Sequence, residues 1–452
     1  MSDLQSAQNG VDIQSGRLNA DEYAANFVDM HPPLGPTAAL IEADRCYFCY
    51  DAPCTTACPT DIDIAGFIRM IASGNNNGAA RLILQENIMG GTCSRVCPTE
   101  ELCEEACVRN KQDEKPVTIG LLQRHAVDAA MAEGKQFFTR KPETGKRIAI
   151  VGAGPAGMSC AHGLAREGHT VTIYEAKEKS GGLNEYGLAV YKMLDDFAAR
   201  EVEYILEIGG IDIRYGERLG ETFDLDNLLD SYDAVFMGIG LGDTNDLGLE
   251  SEALDGVMDA VDYIKTLRQS DDFAELPVGK RVVVIGGGMT AIDIATQIKL
   301  LGASEVTLAY RRDKVAMNAS IKEQEFTQVR GVTIRVNAKP HALHAANGHV
   351  QSIDFERTAS GDDGSLKGTG EYFNLPADMV FKAIGQKLDM SSQLPDALTL
   401  ERGRIVVDES RRTSVSGLWA GGDCVVDGED LTVAAVQDGK LAARSINEYL
   451  QA

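Results

Sequence analysis

Ten cysteines, eight of them between positions 46 and 107, are the residues of this 452-residue chain with the most evident chemistry. Their order is Cys46-x2-Cys-x4-Cys-x3-Cys-Pro59, followed after an interval by Cys93-x3-Cys-Pro-x4-Cys-x3-Cys107. An iron–sulfur cubane needs four soft ligands. Close-set thiolates supply three, and a more distant residue, often beside a proline, supplies the fourth or serves a neighbouring cluster. Two half-motifs with a Cys-Pro pair each therefore predict two clusters with interleaved ligands.

Disulfides and zinc are the alternative roles for these thiols. The first residues, MSDLQSAQNG, lack the regions of a signal peptide, and no apolar run reaches the ~18 residues of a membrane span. We therefore predict a cytoplasmic protein, in which disulfides are rare. Zinc motifs favour paired C-x2-4-C units and often contain histidine. The x4 and x3 spacings, the Cys-Pro pairs and the absence of histidine favour iron–sulfur ligation over zinc.

A glycine loop, GAGPAG from Gly152, follows the apolar run Arg147–Val151. Such glycines permit a tight turn and let a pyrophosphate approach the backbone at a helix N-terminus. The next predicted strand, Thr170–Tyr174, ends at an acidic residue that could accept hydrogen bonds from a ribose. Strand, helix and terminal acid together make this dinucleotide motif more specific than the glycines alone. The candidate residues are Gly152, Gly154, Gly157 and Glu175.

A second glycine loop, GGGMTA from Gly286, follows the apolar run Arg281–Ile285, and alanine is its third small residue. Aligning the strands that come next puts Tyr310 where the first loop has its acid, followed by two arginines. Loss of the carboxylate removes repulsion from a ribose 2′-phosphate, so these residues locally favour NADPH. The arginines could equally be surface charges or contact the pyrophosphate of NADH. The candidate residues are Gly286, Gly288, Ala291, Arg311 and Arg312.

The elements that position these residues change in kind along the chain. The cysteine region is predicted to be helical, whereas strand-like and helix-like runs alternate after the basic linker Lys135–Lys146. The two glycine loops begin 134 positions apart and mark a duplicated nucleotide-binding unit. The polar stretch Gly361–Gly370 is predicted to be a hairpin-like loop. The clearest predicted helices of the cysteine region are Ile64–Ser73, Ala79–Gln85 and Ile119–Met131.

Composition and charge exclude several other functions. A formal net charge of −25 disfavours nucleic acid and anionic membranes as partners, because their phosphates would be repelled. The seven histidines show no paired spacing, which argues against a histidine metal site or triad. No C-x-x-C occurs after the cysteine array, which excludes a dithiol of the thioredoxin reductase type. Cys424 is expected to be a small buried residue.

Three segments resemble the family of dihydropyrimidine dehydrogenase and the glutamate synthase small subunit, and they are closer to the former. They are CPTDIDIAGFIRMIASGN from Cys58, GGTCSRVCPTEELCEEACVRN from Gly90 and KPVTIGLLQRHA from Lys115. The resemblance covers the whole chain, since two nucleotide-binding halves follow in the same order. It implies two 4Fe-4S clusters, FAD and a nicotinamide cofactor.

The resemblance also implies a ligand set that differs from eight thiolates. From spacing alone Gln123 is an ordinary helix residue, but the similarity of the LLQ segment makes its amide a ligand. Cys93, which spacing marks as a ligand, is then a non-ligand. The implied ligands of the first cluster are Cys46, Cys49, Cys54 and Cys107, and those of the second are Cys58, Cys97, Cys103 and Gln123.

The carboxyl-terminal sequence GLWAGGD resembles the second FAD motif of this flavoprotein superfamily, in which the aspartate holds the ribityl chain. A helix predicted to begin near Thr432 would direct its N-terminus at the isoalloxazine. A GGL segment from Gly181 also resembles a flavin contact, although Gly187-Leu-Ala replaces the family's G-I-P after it. The implied FAD contacts are Gly182, Leu183, Gly422, Asp423 and Thr432.

We therefore predict an α-helical N-terminal iron–sulfur domain followed by two Rossmann-like α/β nucleotide-binding domains. The FAD-binding domain is discontinuous, and the NAD(P)H-binding domain is inserted into it. The predicted segments are 1–140 for the two clusters, 141–250 and 384–452 for FAD, and 251–383 for NAD(P)H.

The resemblance implies an enzyme subunit that supplies electrons. Full-length dihydropyrimidine dehydrogenase continues into a flavin-binding barrel that reduces uracil and thymine, and a chain that stops at Ala452 has no room for it. We expect the NAD(P)H-oxidising subunit of a two-subunit bacterial enzyme of pyrimidine catabolism. Electrons would pass via FAD and two 4Fe-4S clusters to a partner, an FMN- and 4Fe-4S-containing subunit that forms the 5,6-dihydropyrimidine.

Alternatives to this function stay open. One is the glutamate synthase small subunit or a related ferredoxin-type NAD(P)H oxidoreductase. A zinc-stabilised scaffold with vestigial nucleotide folds is the non-enzyme alternative. The nicotinamide cofactor is NADH or NADPH. The two arginines favour NADPH, whereas the family resemblance slightly favours NADH.

Overall fold

The computed structural model describes residues 12–250, 252–361, 365–389 and 394–452. The amino-terminal third is helical, as its apolar spacing predicts. Asp63 caps one helix by accepting the Gly66 N–H at 2.9 Å, and Asn75 caps the next by accepting the Gly78 N–H at 2.9 Å. The helices are α1 (Ala20–Asn26), α2 (Pro36–Asp44), α3 (Pro53–Thr56), α4 (Ile64–Ala72), α5 (Asn76–Glu86), α6 (Gly90–Val96), α7 (Arg109–Asp113) and α8 (Ile119–Ala132).

Strands and helices alternate after this region. β1 is buried over nearly its whole length, as expected for a strand covered on both faces of a parallel sheet. The helix after it begins with Pro155 directly behind the N-cap Gly154, a position where proline loses no helical hydrogen bond. The elements are β1 (Arg147–Val151), α9 (Pro155–Arg166), β2 (Thr170–Glu175), α10 (Leu183–Tyr186), α11 (Phe197–Leu206), β3 (Ile211–Tyr215), α12 (Leu225–Ser231) and β4 (Ala234–Met237).

The alternation is repeated in the following stretch, which also contains three long antiparallel strands. Of the N-caps of its three helices, Asp259, Gly288 and Ser320, only Ser320 forms a capping box, with Glu323. The elements are β5 (Asp243–Thr244), β6 (Val257–Asp259), α13 (Ala260–Arg268), β7 (Arg281–Gly286), α14 (Met289–Leu300), β8 (Glu305–Ala309), α15 (Ile321–Val329), β9 (Val332–Arg335), β10 (Ala338–Ala346), β11 (His349–Ser360), β12 (Leu366–Pro376), β13 (Met379–Ala383) and β14 (Gln386–Lys387).

The carboxyl-terminal segment returns to the first sheet. It contributes β15 (Leu400–Glu401), β16 (Arg404–Ile405), β17 (Leu418–Ala420) and α16 (Thr432–Gln451). Contacts divide the chain into two compact units, one of which contains residues 29–185, 192–243 and 387–452. Its parallel sheet has the order β17-β4-β1-β2-β3, so the last strand of the chain pairs with β4, and it also contains helices α2 to α8. The first nucleotide-binding domain is therefore discontinuous, as predicted.

The other unit contains the described residues up to Val28, residues 186–191 and residues 244–386. Its parallel sheet has the order β6-β13-β7-β8-β9, and an antiparallel sheet β10-β11-β12 is built from the residues between β9 and β13. The loop predicted over Gly361–Gly370 is shorter than expected, because β12 begins at Leu366 and pairs with β11 there. Residues 362–364 of that prediction lie outside the described residues.

Each parallel sheet carries its glycine loop at the carboxyl end of a central strand. β1 lies between β4 and β2, and β7 lies between β13 and β8. In such sheets neighbouring connections leave to opposite faces at this point, and the crevice they open is where nucleotides bind. Among the described residues, no helix is long and apolar enough to cross a membrane.

Candidate functional site

One set of predicted cluster ligands surrounds a single cavity in the helical region. The loop before α3 bends around this cavity, with positive φ values at Phe48 (50°) and Ala52 (29°) that non-glycine residues rarely adopt. The Phe48 N–H donates to the sulfur of Cys46 at 3.4 Å. The four thiols that line the cavity are those of Cys46, Cys49, Cys54 and Cys107.

The chemistry of this donor set fits a 4Fe-4S cluster. Burial, followed by the charges of neighbouring thiolates, raises the pKa of Cys54 to about 11, and burial likewise raises the pKa of Cys46. Several thiolates therefore share this space only if cations compensate their charge, as the iron of a cluster does. Within the described part of the chain, no three His, Cys, Asp or Glu side chains are arranged to hold a single metal ion.

The second predicted set also converges. The charges of Cys58 and Cys54 act on Cys103, and those of Cys103 and Cys58 act on Cys97. A hydrogen bond with the Cys93 thiol, followed by burial, raises the pKa of Cys97 well above its usual value. Three predicted ligands are thus neighbours, and the thiol that the resemblance leaves out lies beside them.

Gln123, the predicted fourth ligand of this set, is a buried residue of α8, with 7% of its surface exposed. Its Nε2 donates to the carbonyl of Gly90 at 2.7 Å, where α6 begins. The amide oxygen is then the atom available to bind iron. Cys93 is also buried and lies on α6, which packs against α8. Both candidates for the eighth ligand are therefore on these two packed helices.

Glu201 anchors α6, and the sequence contains no local signal for this role. Its carboxylate, on α11, accepts the N–H groups of Gly91 (2.8 Å) and Thr92 (3.0 Å) and the Thr92 hydroxyl. Burial raises the pKa of Glu201 to about 7. A Cβ on Gly91 would lie 2.4 Å from the Phe197 ring, so this approach requires glycine. An element of the first nucleotide-binding half thus positions the helix that carries Cys93 and ends directly before Cys97.

The first glycine loop has the close backbone approaches that a pyrophosphate cradle needs. Gly152 has φ of 98°, and a Cβ there would lie 2.4 Å from the carbonyl of Gly238. A Cβ on Gly157 would lie 2.0 Å from the carbonyl of Gly152. Glu175, at the end of β2, accepts the Ala153 N–H at 2.8 Å, so its carboxylate reaches this loop. The structure therefore brings the predicted dinucleotide residues together.

The GGL segment and the start of α16 adjoin this loop. Gly182 has φ of 56°, and a Cβ there would lie 2.7 Å from the Cα of Gly154, so only glycine fits. Leu183 begins α10 directly after it. The Thr432 hydroxyl donates to the side chain of Asn184 at 2.8 Å. Residues from three distant parts of the sequence thus line one cradle with no room for further side chains, which fits a bound FAD.

The GLWAGGD segment, the predicted second FAD motif, is held by Asp438, a residue that the sequence analysis did not identify. Its Oδ2 accepts the Gly422 N–H at 2.8 Å, and its Oδ1 pairs with the Arg411 guanidinium at 2.7 Å. Burial, followed by the charge of Asp430, raises the pKa of the neighbouring Asp423 to about 7. A ribityl hydroxyl donating to this carboxylate would stabilise its ionised form. Cys424 is fully buried, as predicted.

The second glycine loop also has a close approach. A Cβ on Gly286 would lie 2.2 Å from the carbonyl of Ala383, and Gly288 is the N-cap of α14. Ala291 is fully buried in the first turn of that helix. Tyr310 directly follows β8, and its ring lies 2.4 Å from the position that a Cβ of Gly287 would take. This arrangement fits a second dinucleotide.

Arg311 and Arg312 follow Tyr310 and are both exposed. Their backbone carbonyls are fixed, because that of Arg311 accepts the Thr358 hydroxyl at 2.6 Å and that of Arg312 accepts the Asn337 N–H at 2.9 Å. Hydrogen bonds thus hold the backbone in place while the two side chains remain exposed at the end of β8.

Comparison with known proteins extends this description. Residues 146–439 match the pyridine nucleotide-disulphide oxidoreductase family, and residues 23–135 match dihydropyrimidine dehydrogenase domain II, 4Fe-4S cluster. A Salmonella typhi homolog of the NAD-dependent dihydropyrimidine dehydrogenase subunit PreT is 34% identical over 94% of this chain and 98% of its own length. The Escherichia coli K12 glutamate synthase [NADPH] small chain is 34% identical over 94% of both chains.

Solved structures agree on the fold. Mycobacterium tuberculosis FprA in complex with NADPH has a TM-score of 0.58 at 20% identity, over 69% of this chain and 85% of that one. The fold and sites define an oxidoreductase with a 4Fe-4S domain and an FAD- and NAD(P)-binding reductase fold. The chain belongs to the pyridine nucleotide-disulphide oxidoreductase family. Its relatives include a dihydropyrimidine dehydrogenase subunit and a glutamate synthase small chain, as the sequence motifs indicated.

Proposed function

We propose that this chain is the NAD(P)H-oxidising subunit of a dihydropyrimidine dehydrogenase. The observation that carries the proposal is the similarity to PreT over 98% of that subunit, combined with the match of residues 23–135 to dihydropyrimidine dehydrogenase domain II. The partner would be an FMN- and 4Fe-4S-containing subunit that reduces uracil or thymine to the 5,6-dihydropyrimidine.

The chain would hold four redox groups in the sites described above. The thiols of one set line one cavity, and the second set with Gln123 would hold another cluster. The cradle of Gly152, Gly182 and Asp423 would take FAD, which, when bound, converts a two-electron hydride donor into a source of single electrons. The loop from Gly286 would take the nicotinamide nucleotide.

Contacts within one unit support coupling between the FAD cradle and the second thiol set. The side chain of Lys440, on α16, donates to the carbonyl of Thr60 at 2.8 Å, two residues after Cys58. The amide of Asn184 contacts the sulfur of Met89 at 3.7 Å, immediately before α6. These contacts hold the two sites at a fixed separation, which electron transfer between bound groups requires.

The decisive experiment compares the purified chain alone with the chain plus the FMN subunit. Alone it should reduce a dye with NADH or NADPH and leave uracil unchanged. With the partner it should form dihydrouracil. Uracil turnover by the isolated chain would contradict a divided enzyme. Dye reduction without any uracil reduction in the complex would contradict the pyrimidine assignment.

The glutamate synthase small subunit is the second candidate, because that small chain has the same 34% identity over the same 94% of this chain. Electron supply to the glutamate synthase large subunit, read as glutamine-dependent glutamate formation, would favour it. The identity of the neighbouring genes, encoding a pyrimidine-reducing barrel or a large amidotransferase, discriminates between the same two functions.

The choice between NADH and NADPH depends on the exposed arginines. If they bind a 2′-phosphate, replacing both Arg311 and Arg312 by Gln should raise KM for NADPH at least tenfold and leave KM for NADH nearly unchanged. An equal rise in KM for NADPH and for NADH would show that the arginines do not bind the 2′-phosphate. Arg402→Gln, at an exposed position in the other unit, is the matched control.

A further inference from the structure

Two arginines lie buried beside the second thiol set. Arg95 is on α6, between Cys93 and Cys97, and 5% of its side chain is exposed. Arg124 is on α8 directly after Gln123, and 9% of its side chain is exposed. Arginine side chains are almost never buried to this extent unless they are paired, so each of the two requires a compensating charge.

Two aspartates compensate these cations, and both are nearer to the solvent than the arginines. Nη2 of Arg95 donates to both carboxylate oxygens of Asp128 at 2.8 Å, and Nε of Arg124 donates to the same carboxylate at 3.3 Å. Nη2 of Arg124 also donates to Asp29 at 2.7 Å. The side chains of Asp128 and Asp29 are 30% and 19% exposed. Water therefore screens the charges of the aspartates more than those of the arginines.

The guanidinium of Arg95 reaches the turn of α6 that also holds Gln123. Its Nη1 donates to the carbonyl of Gly91 at 2.9 Å, and the amide of Gln123 donates to the preceding carbonyl, that of Gly90, at 2.7 Å. The ring of Phe197, on α11, covers the guanidinium, with the ring centre 3.5 Å from Cζ. The cation is thus held one peptide group away from the contact of a predicted cluster ligand, in a place that water barely reaches.

Buried negative charge surrounds the second thiol set as well. Glu104 and Glu201 are 7% and 1% exposed. Burial, followed by the charge of Glu104, raises the pKa of Cys103 well above its usual value. A cluster bound by three thiolates would contribute further negative charge, and its reduction would add one more electron. A buried cation at this position therefore opposes the charge that makes reduction unfavourable.

We propose that Arg95 raises the midpoint potential of the second cluster and thereby favours electron transfer to it from FAD. A nearby positive charge stabilises added negative charge, and it does so most strongly where water is excluded. This inference rests on the proposed function, which assigns a 4Fe-4S cluster to the second thiol set. It gives Arg95 a role in the reaction in addition to its contacts between α6 and α8.

Two variants break the same ion pair but change its charge in opposite directions. Arg95→Gln removes the cation and leaves Asp128, whereas Asp128→Asn removes the anion and leaves Arg95. If the pair only joins α6 to α8, both variants should affect the cluster in the same way. If Arg95 acts through its charge, the midpoint potential should fall in the first variant and rise in the second.

The control is Asp233→Asn, which breaks an ion pair of similar exposure. The Asp233 side chain is 33% exposed and pairs with Lys146 at 3.2 Å. These two residues directly precede β4 and β1, at the opposite ends of the strands from the first glycine loop. For each holoprotein the measurements are iron and flavin content and a redox titration followed by EPR. The signal of the second cluster is the one that Cys97→Ser removes.

Arg95→Gln should make reduction of the second cluster about tenfold less favourable, which is a fall of about 59 mV for one electron. Asp128→Asn should raise the potential by less, because water already screens the carboxylate that it removes. Asp233→Asn should leave the potential at the parent value. If Arg95→Gln does not fold, the rise in Asp128→Asn relative to Asp233→Asn tests the proposal by itself.

Shifts of the same sign in the Arg95 and Asp128 variants, or the parent potential in both, would overturn the role of Arg95 and leave the proposed function intact. A second cluster that is present by iron content but cannot be reduced in the parent would also contradict a residue that favours its reduction. A parent protein whose iron content corresponds to a single cluster would instead overturn the cluster assignment in the proposed function.

Discussion

At the residue scale, Cys93 and Gln123 compete for one ligand position. Cys93 has the spacing of a ligand and its thiol is hydrogen-bonded with that of Cys97. Gln123 donates its amide N–H to the carbonyl of Gly90 at 2.7 Å, which leaves the amide oxygen as the atom that could coordinate iron. Counting thiols favours the cysteine, whereas the family resemblance favours the glutamine.

We predict that Cys93→Ser retains both clusters, because the thiol is not a ligand when Gln123 completes the set. Iron and sulfide content and the low-temperature EPR spectrum of the reduced protein should match those of the parent. Cys97→Ser, the matched control at the residue that directly follows the same helix, should lose one cluster. Loss of a cluster in Cys93→Ser would restore the set of eight thiolates.

Asp423 should make FAD binding depend on pH. In the protein without FAD its pKa is about 7, because burial disfavours the carboxylate. A ribityl hydroxyl would favour the ionised form and lower this pKa in the complex, so the proton must leave on binding below about pH 7. Affinity should therefore weaken by up to about tenfold per pH unit as the pH falls below 7, and stay level above it.

Titration of the apoprotein with FAD between about pH 5.5 and 8.5 measures this effect. Asp423→Asn cannot ionise and should bind FAD with a flatter pH dependence. A parent affinity that is constant, or that improves toward acid pH, would contradict the assignment of Asp423 to the ribityl chain.

At the element scale, the FAD cradle depends on close packing of α9 against α16. A Cβ on Gly439 would lie 2.1 Å from the carbonyl of Ala156, so the two helices touch at their backbones. The Ser159 hydroxyl donates to the carbonyl of Val436 at 2.7 Å at the same crossing. The crossing sets where Thr432 meets Asn184 and where Asp438 meets Gly422.

Gly439→Ala should therefore force the helices apart, destabilise the protein by about 1–3 kcal/mol and reduce its FAD content. Chemical denaturation and flavin analysis of the purified protein measure both effects. Gly35→Ser is the control, since a Cβ there meets no atom within 4 Å and serine is a good N-cap for α2. Parent-like stability and flavin content in Gly439→Ala would refute this account of the crossing.

At the scale of the whole molecule, the acidic charge is the dominant feature. The chain has 68 acidic and 43 basic side chains, so its net charge of −25 opposes the compact state by self-repulsion. Salt shortens the range of this repulsion from about 30 Å at 0.01 M to about 8 Å at 0.15 M.

Raising sodium chloride over that range at pH 8 should increase Tm by about 2–5 °C. Scanning calorimetry measures the shift. Repeating the scans at about pH 5.5, closer to the isoelectric point near 4.7, should give a smaller shift because the net charge is lower. A Tm that falls with salt at pH 8 would mean that attractive ion pairs outweigh the net repulsion.

The sequence by itself determined the order of the domains and most chemically active residues. Apolar periodicity located helices such as Ile64–Ala72 and Ile119–Ala132 to within about a residue. Each glycine loop marked the carboxyl end of a strand, because glycine is needed wherever phosphate must approach backbone. The spacing of the cysteines pointed to clusters for the same kind of local reason.

Only the tertiary structure decided which distant residues meet. Asp438 reaches Gly422 across 16 positions, Glu201 reaches Gly91 across 110, and Thr432 reaches Asn184 across 248. The beginning of β12 at Leu366 was likewise missed, since its exposed polar residues resemble those of a loop until β11 pairs with them. Spacing and periodicity record what a segment needs locally, whereas these contacts depend on how sheets and helices pack, which no local pattern encodes.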